Sequence, residues 1–373
     1  MHHAKWRPST VLLMMCLMGV LSACASSISQ ALPSNAEQSA TVTPPSNANT
    51  LPVISVSNAA QLKIARKLPL EPSFSLVNQI LWRQPQEIEA RTGHSTIWIG
   101  KFDEASVDTR MINYAGGLIG KIALSSDGRL LAAPVNDPNR MKIQVILWEV
   151  ATQQVIARVD AYGAEFSPDG RYLVLNGTNV VALWNTTTKT VERTFADAGI
   201  FIDKTSIPPI AVSPDSHMIA STDAAGVLGL WDVETGQKVR SFSDQVGTVR
   251  ELWFRPDGSR LAARIDARIQ VWDVKTGGSV AILDGKTGDV LDVAFSPDGM
   301  LLAAVGADNK VLLWDVVNGS LVTTLNIIDP EHTAVRSAAF SPDGTQVATG
   351  ITALTNDKKQ LTTPEIWLWA VQQ

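Results

Sequence analysis

Side chains able to do acid–base, nucleophilic or metal chemistry are few in this chain and widely scattered. Of the five histidines, His2 and His3 sit at the start, while His94, His217 and His332 lie far apart. None has the His-x-x-x-His or His-plus-carboxylate spacing of a zinc site. The two cysteines, Cys16 and Cys24, fall within the first 24 residues. No disulfide framework or Cys-based metal site is therefore possible in the body of the protein. No Gly-x-Ser-x-Gly elbow, phosphate-binding glycine loop or dinucleotide fingerprint occurs. The Asp-x-Asp-like pieces lack the terminal Glu of a calcium loop. One acidic pair remains, Glu251 and Asp292, each six residues ahead of a turn aspartate. Acid–base work would require a partner with a displaced pKa, and nothing nearby supplies one. A solvated wall of mixed charge is the simpler reading. No metal site, no cofactor and no enzymatic activity are expected.

The elements that must position these residues repeat. Six turns recur: Ser126-Asp127-Gly128, Ser167-Pro168-Asp169-Gly170, Ser213-Pro214-Asp215-Ser216, Arg255-Pro256-Asp257-Gly258, Ser296-Pro297-Asp298-Gly299 and Ser341-Pro342-Asp343-Gly344. Each precedes a short apolar run and then a tryptophan: Trp148, Trp184, Trp231, Trp272, Trp314 and Trp369, three of them followed by Asp232, Asp273 and Asp315. A period of about 40–45 residues with Trp-Asp marks a four-stranded propeller blade. The turns have the right chemistry, since Pro fixes φ, Asp bonds its own backbone and Gly takes positive φ. Because the serines recur with the fold, they read as turn residues rather than nucleophiles. The pattern resembles the WD-repeat family over nearly everything beyond residue 75.

That resemblance implies an all-β, seven-bladed propeller of four-stranded antiparallel blades spanning 56–373. In the clearest repeat the strands read Val290–Phe295, Leu301–Val305, Val311–Trp314 and Leu321–Leu325, here called a to d. A degraded first blade precedes the six, with Val77–Trp82 as strand a, Ser95–Trp98 as strand c and Arg83-Gln84-Pro85-Gln86 in place of the usual turn. After Trp369 only four residues remain, so the last blade lacks strand d. In the family an N-terminal strand commonly completes the last blade, which assigns that role to residues 61–68 and removes an exposed sheet edge. Strand a lines the central channel of such propellers, with Gln79, Lys121, Gly163, Pro209, Glu251, Asp292 and Ser337 at the inner positions. His332-Thr333 stands where the family often has Gly-His. Asp223, Asp266 and Asp308 stand where its structural Asp falls.

Ahead of the repeats lies an address. Lys5 and Arg7 precede an apolar run, Val11 to Leu21, too short to span a bilayer but suited to a signal-peptide core. It ends in Leu21-Ser22-Ala23-Cys24, which resembles the bacterial lipobox. The resemblance implies removal of residues 1–23, lipidation of Cys24 and anchoring in a bacterial cell envelope, on the outer face of the cytoplasmic membrane or on the outer membrane. Residues 24–55 are Ser, Ala, Pro, Asn and Thr-rich with Glu37 their only charge, the composition of a flexible linker with a reach of roughly 30 Å.

The net charge of −5, without any Lys/Arg cluster, argues against nucleic acid as a partner. Blade lengths give a functional hint. Extra residues fall between strands b and c of blade two (Asn136, Asp137, Asn139, Arg140) and of blade seven (Asp357, Lys358, Lys359). A long connection from blade three to four holds Phe201 and Ile202. All three emerge on one face, so these residues are candidates for binding an unknown protein partner. The expected protein is a membrane-anchored monomer acting as a protein-binding or scaffold module. The alternatives are a channel-site enzyme, or an envelope factor resembling propeller lipoproteins of outer-membrane protein assembly.

Overall fold

The computed structural model describes residues 51–70, 76–93, 95–103, 106–114, 117–137, 142–177, 180–195, 197–199, 207–242, 244–245, 247–284, 289–325, 327, 333–353 and 364–371. The compact unit Thr50–Gln373 is a seven-bladed β-propeller built from seven antiparallel sheets. Blade six consists of Val290–Phe295, Leu301–Gly306, Val311–Asp315 and Ser320–Leu325, within one residue of the expected boundaries. Blade one is complete despite its degraded turn: Val77–Gln84, Glu87–Thr92, Thr96–Phe102 and Val107–Asn113 pair in order. Its a–b connection is simply a two-residue turn at Pro85-Gln86.

Closure follows the expected route. Leu62–Pro69 pairs antiparallel with Glu365–Val371 and supplies the outer strand of blade seven, from Leu62 opposite Val371 to Pro69 opposite Glu365. Two boundaries shift. The closing strand starts one residue later than expected, because Ala59–Gln61 forms a 3-10 turn. The domain also begins before residue 56. Ile54 is 1% exposed within the core shared by blades six and seven, and its N–H donates to the Gly344 carbonyl at 2.9 Å. A large apolar side chain in the Ser/Pro-rich stretch is enough to dock it.

Seven apolar clusters fill the seven gaps between blades, and each holds the strand-c tryptophan of one blade against the preceding blade. Trp98 meets Leu68, Ile366 and Leu368 of blade seven, and Trp148 meets Ile97 and Ile99 of blade one. Trp184, Trp231, Trp272 and Trp314 repeat the contact around the ring. Trp369 closes it against Leu301, Leu313 and their neighbours in blade six. All seven are 8% exposed or less. A flat side chain of 150–250 Å², at about 25 cal/mol/Å², brings roughly 4–6 kcal/mol of transfer free energy to each gap. The repeated tryptophans are thus the wedges that hold neighbouring blades together.

Candidate functional site

The turns below the sheets are fully occupied with their own hydrogen bonds. Ser125, Ser167, Ser213, Ser296 and Ser341 donate their hydroxyls to Asp127, Asp169, Asp215, Asp298 and Asp343 at 2.5–2.7 Å. In blade two the turn serine is Ser125, with Ser126 in the proline position. In return each hydroxyl accepts the backbone N–H five residues on, as Leu130 donates to Ser125 and Leu301 to Ser296 at 2.9 Å. A hydroxyl used both ways is structural. Arg83 and Arg255 replace this serine in blades one and five, and each guanidinium lies over the glycine of the next turn. A Cβ on Gly128 or Gly299 would stand 2.2 or 2.4 Å from the arginine Nε, and both glycines also need positive φ.

The channel positions form the candidate site. In blades one, five, six and seven a register shift falls at the inner residue of strand a, next to Gln79, Glu251, Asp292 and Ser337. A bulge of this kind re-aims a side chain, here toward the neighbouring blade's unpaired backbone. Gln79 accepts the Ile122 N–H at 2.7 Å and donates to the Ile122 carbonyl at 2.9 Å. Asp292 accepts from Ser337 Oγ at 2.5 Å and from the Ala338 N–H at 3.2 Å. Ser337 Oγ in turn accepts the Ile80 N–H at 2.9 Å. Blade three has Gly163 at the inner position, and Glu165 two residues later takes over, accepting the Val212 N–H at 3.1 Å. The innermost strand edges, otherwise open donors, are thereby tied blade to blade.

Two inner positions break this pattern. Lys121 cannot accept a hydrogen bond; its ammonium crosses the ring to Glu251 at 3.5 Å and lies 5.5 Å from the Trp253 ring centroid. Glu251 also accepts Arg264 Nη2 at 2.9 Å. The expected pair Glu251 and Asp292 therefore belongs to a larger cluster with Glu165, Lys121, Arg264 and Arg91. Water reaches Lys121 along the bore, leaving 57% of its side chain exposed, while protein encircles it. Burial would lower its pKa, but Glu251, Glu165 and Asp292 outweigh that and hold it above the ordinary lysine value. Burial pushes Glu165 up to about 7, against the opposing pull of Lys121 and the Val212 N–H. Asp292 rises to about 6 for the same reason, with Ser337 and Lys121 opposing. Among the described residues no group of three or more His, Cys, Asp or Glu is arranged to hold a metal ion.

The partner-binding candidates fare differently. Asn136 and Asp137 are not in a loop: they extend strand b, Leu130–Asp137, and pair with Ile143 and Lys142 of strand c. The insertion in blade two makes a taller hairpin, with Val135 buried and Asn136 exposed at its upper end. Cys24, Asn139, Arg140, Phe201, Ile202, Asp357, Lys358 and Lys359 lie outside the described residues, as do His94 and His332. On the opposite face is a cleft that sequence reasoning missed, about 470 Å³, between blades three and four. Asp169, Arg171, Tyr172, Glu192, His217 and Glu234 are among its walls. It arises from the juxtaposition of two blades' turns, for which a single repeat carries no signal.

Ring, turns and tryptophan wedges define the class: a closed seven-bladed propeller of Trp-bearing repeats. Residues 277–315 and 319–359 match the WD domain, G-beta repeat family. Both matches start around strand d of one blade and run into the next, the stagger that leaves an N-terminal strand to close the ring. The chain is also 33% identical over 164 residues to the WD repeat-containing protein SL1-17 of Schistosoma mansoni, covering 42% of this chain and 51% of that protein. The chain thus spans about half the length of this curated relative. With the fold, these matches support a WD-repeat β-propeller.

Proposed function

We propose that this chain is a tethered protein-binding scaffold: a lipid on Cys24 holds it to a bacterial envelope membrane, and the propeller receives a protein partner. One observation carries the binding reading. The polar side chains that could have formed a catalytic centre in the channel are consumed by structural contacts: Gln79, Glu165, Asp292 and Ser337 bond the neighbouring blade's backbone, Lys121 reaches Glu251 across the ring, and Arg264 pairs with Glu251 inside blade five. A rigid ring of this kind displays its loops, and loops on rigid scaffolds carry recognition. The match to WD repeats favours the same reading, and the lipobox-like Leu21-Ser22-Ala23-Cys24 supports the anchor.

The test is site-directed photo-crosslinking on intact cells. A probe at Asn136, on the upper end of the blade-two hairpin, should capture one protein in stoichiometric yield. Probes at Glu234 or Lys275, in the opposite c–d turns, should capture little. Capture from the lower face alone moves the site there, and a tightly held small molecule in place of a protein overturns the scaffold reading. Cys24→Ser should release the protein from the membrane fraction.

A further inference from the structure

Blades two and five are as far apart as a seven-membered ring allows, yet a side chain from one meets a side chain from the other. Lys121 occupies the inner position of blade two, where Leu118–Ile119 and Ala123–Leu124 are separate short strands with Gly120, Lys121 and Ile122 between them. Its ammonium stands 3.5 Å from Glu251 Oε2 on blade five. Glu165 of blade three and Asp292 of blade six are the other carboxylates whose charge it feels. Arg264 shares Glu251, and the Arg91 guanidinium feels Asp292 and donates to the Ile119 carbonyl at 3.4 Å. Three carboxylates therefore face three cations. Gly163 and Pro209, at the inner positions of blades three and four, bring no charge of their own.

We propose that the central channel is a built ammonium site, filled by the chain's own Lys121, which acts as a tethered counter-ion pinning blade two to blade five across the bore. Removing the lysine side chain leaves a space of ammonium size in a protein-walled bore and, on the alkaline side of about pH 7 where Glu165 and Asp292 are ionised, one unbalanced negative charge. A small organic cation should enter that space. Divalent metals should not, because the carboxylates are already committed: Glu165 to the Val212 N–H, Asp292 to Ser337 and Ala338, and Glu251 to Arg264. The occupied channel is thereby closed to cationic ligands in the native protein, whatever its faces bind.

The experiment is thermal unfolding of the full chain carrying Lys121→Ala, titrated with methylammonium chloride against sodium chloride at equal ionic strength. Lys121→Ala should melt below the native protein, and methylammonium should restore part of the loss saturably. The native protein and the Lys121→Ala/Glu251→Gln double variant should not respond beyond sodium chloride. An unchanged melting temperature for Lys121→Ala, or an equal methylammonium response in native protein and variant, overturns the proposal. A second readout needs no variant. In the native chain, reductive methylation should be markedly slower at Lys121 than at Lys189, exposed in a c–d turn, although 57% of the Lys121 side chain is itself exposed. Equal labelling of the two lysines likewise refutes the pinned ammonium.

Discussion

Glu89 gives the stability of this domain a direction in pH. It lies on strand b of blade one, fully buried, and neither carboxylate oxygen has a hydrogen-bond partner among the described residues. Burial pushes its pKa from the ordinary 4.5 up to about 7, with Arg83 pulling down and Glu87 pushing up. A carboxyl whose folded pKa is raised binds its proton more tightly in the native state. Its contribution is thus fully present at low pH and is lost as pH rises from about 4.5 through about 7. At 1.36 kcal/mol per pKa unit the full effect is about 3 kcal/mol, of which about 2–2.5 falls between pH 5 and pH 8. For a domain of this size, at about 2.1 cal/mol/K of unfolding entropy per residue, that is roughly 3–4 °C in melting temperature. Glu165 and Asp292, raised to about 7 and about 6, act in the same direction. The assay is urea or thermal unfolding of native protein, Glu89→Gln and Glu89→Met at pH 5, 6, 7 and 8. Both variants should flatten the profile by about 2 kcal/mol, and Glu89→Met should exceed the native protein in stability at pH 8. If Glu89→Gln tracks the native protein in parallel from pH 5 to pH 8, the buried carboxyl is not the source of the slope.

Three further outcomes are expected. N-terminal deletions should act in steps: removal through Thr50 is neutral, removal through Ser55 costs about 2–4 kcal/mol for Ile54, and removal through Leu70 bares the Glu365–Val371 edge and causes aggregation. Calorimetry and light scattering read all three, and a smooth decline would contradict separate docking of Ile54 and the closing strand. Lys189 and Gln153 hold φ of 60° and 59° in the turn where blades four to six have Gly236, Gly277 and Gly319. Lys189→Gly should therefore gain up to about 1 kcal/mol in denaturant melts, whereas Lys189→Ala should gain nothing, and equal effects would refute the strain. Trp231→Ala should cost about 3–5 kcal/mol by the same assay, because the side chain wedges blade four on blade three.

Blade count and closure were legible because they rest on bookkeeping along the chain. Turn aspartates at a fixed period set the repeats, and a last blade without strand d required a donor such as Leu62–Pro69. The weakened first blade remained readable from Val77–Trp82 and Ser95–Trp98, which keep the apolar pattern and the strand-c tryptophan although the usual turn is lost. What the sequence hid depends on distances across the ring. Lys121 and Glu251 are 130 residues apart, and only the diameter of the closed propeller brings them together. Glu165 escaped because Gly163 holds the inner position and the functional carboxylate sits two residues on. Nothing in Glu87-Ile88-Glu89-Ala90 marks Glu89 for burial; it is buried because strand b is sandwiched between blades, with Ile88, Glu89 and Ala90 all enclosed. Asn136 and Asp137 read as loop because Asn, Asp and Pro cluster there, whereas hairpin pairing with Ile143 and Lys142 carries the strand through them.

Closure of the ring supports every other contact described, from the Trp98 wedge to the Lys121 bridge, and its register can be trapped covalently. Lys63 and Ala370 face each other across the closing ladder, at a Cβ separation of about 4.5–5.5 Å that slight adjustment brings into disulfide range. In the chain carrying Cys16→Ser and Cys24→Ser, the pair Lys63→Cys and Ala370→Cys should oxidise to an intramolecular bond and raise the melting temperature. The displaced pair Lys63→Cys and Leu368→Cys should stay reduced. An intramolecular bond in the displaced pair, or intermolecular dimers alone from the facing pair, would contradict a seventh blade completed by the N-terminal strand.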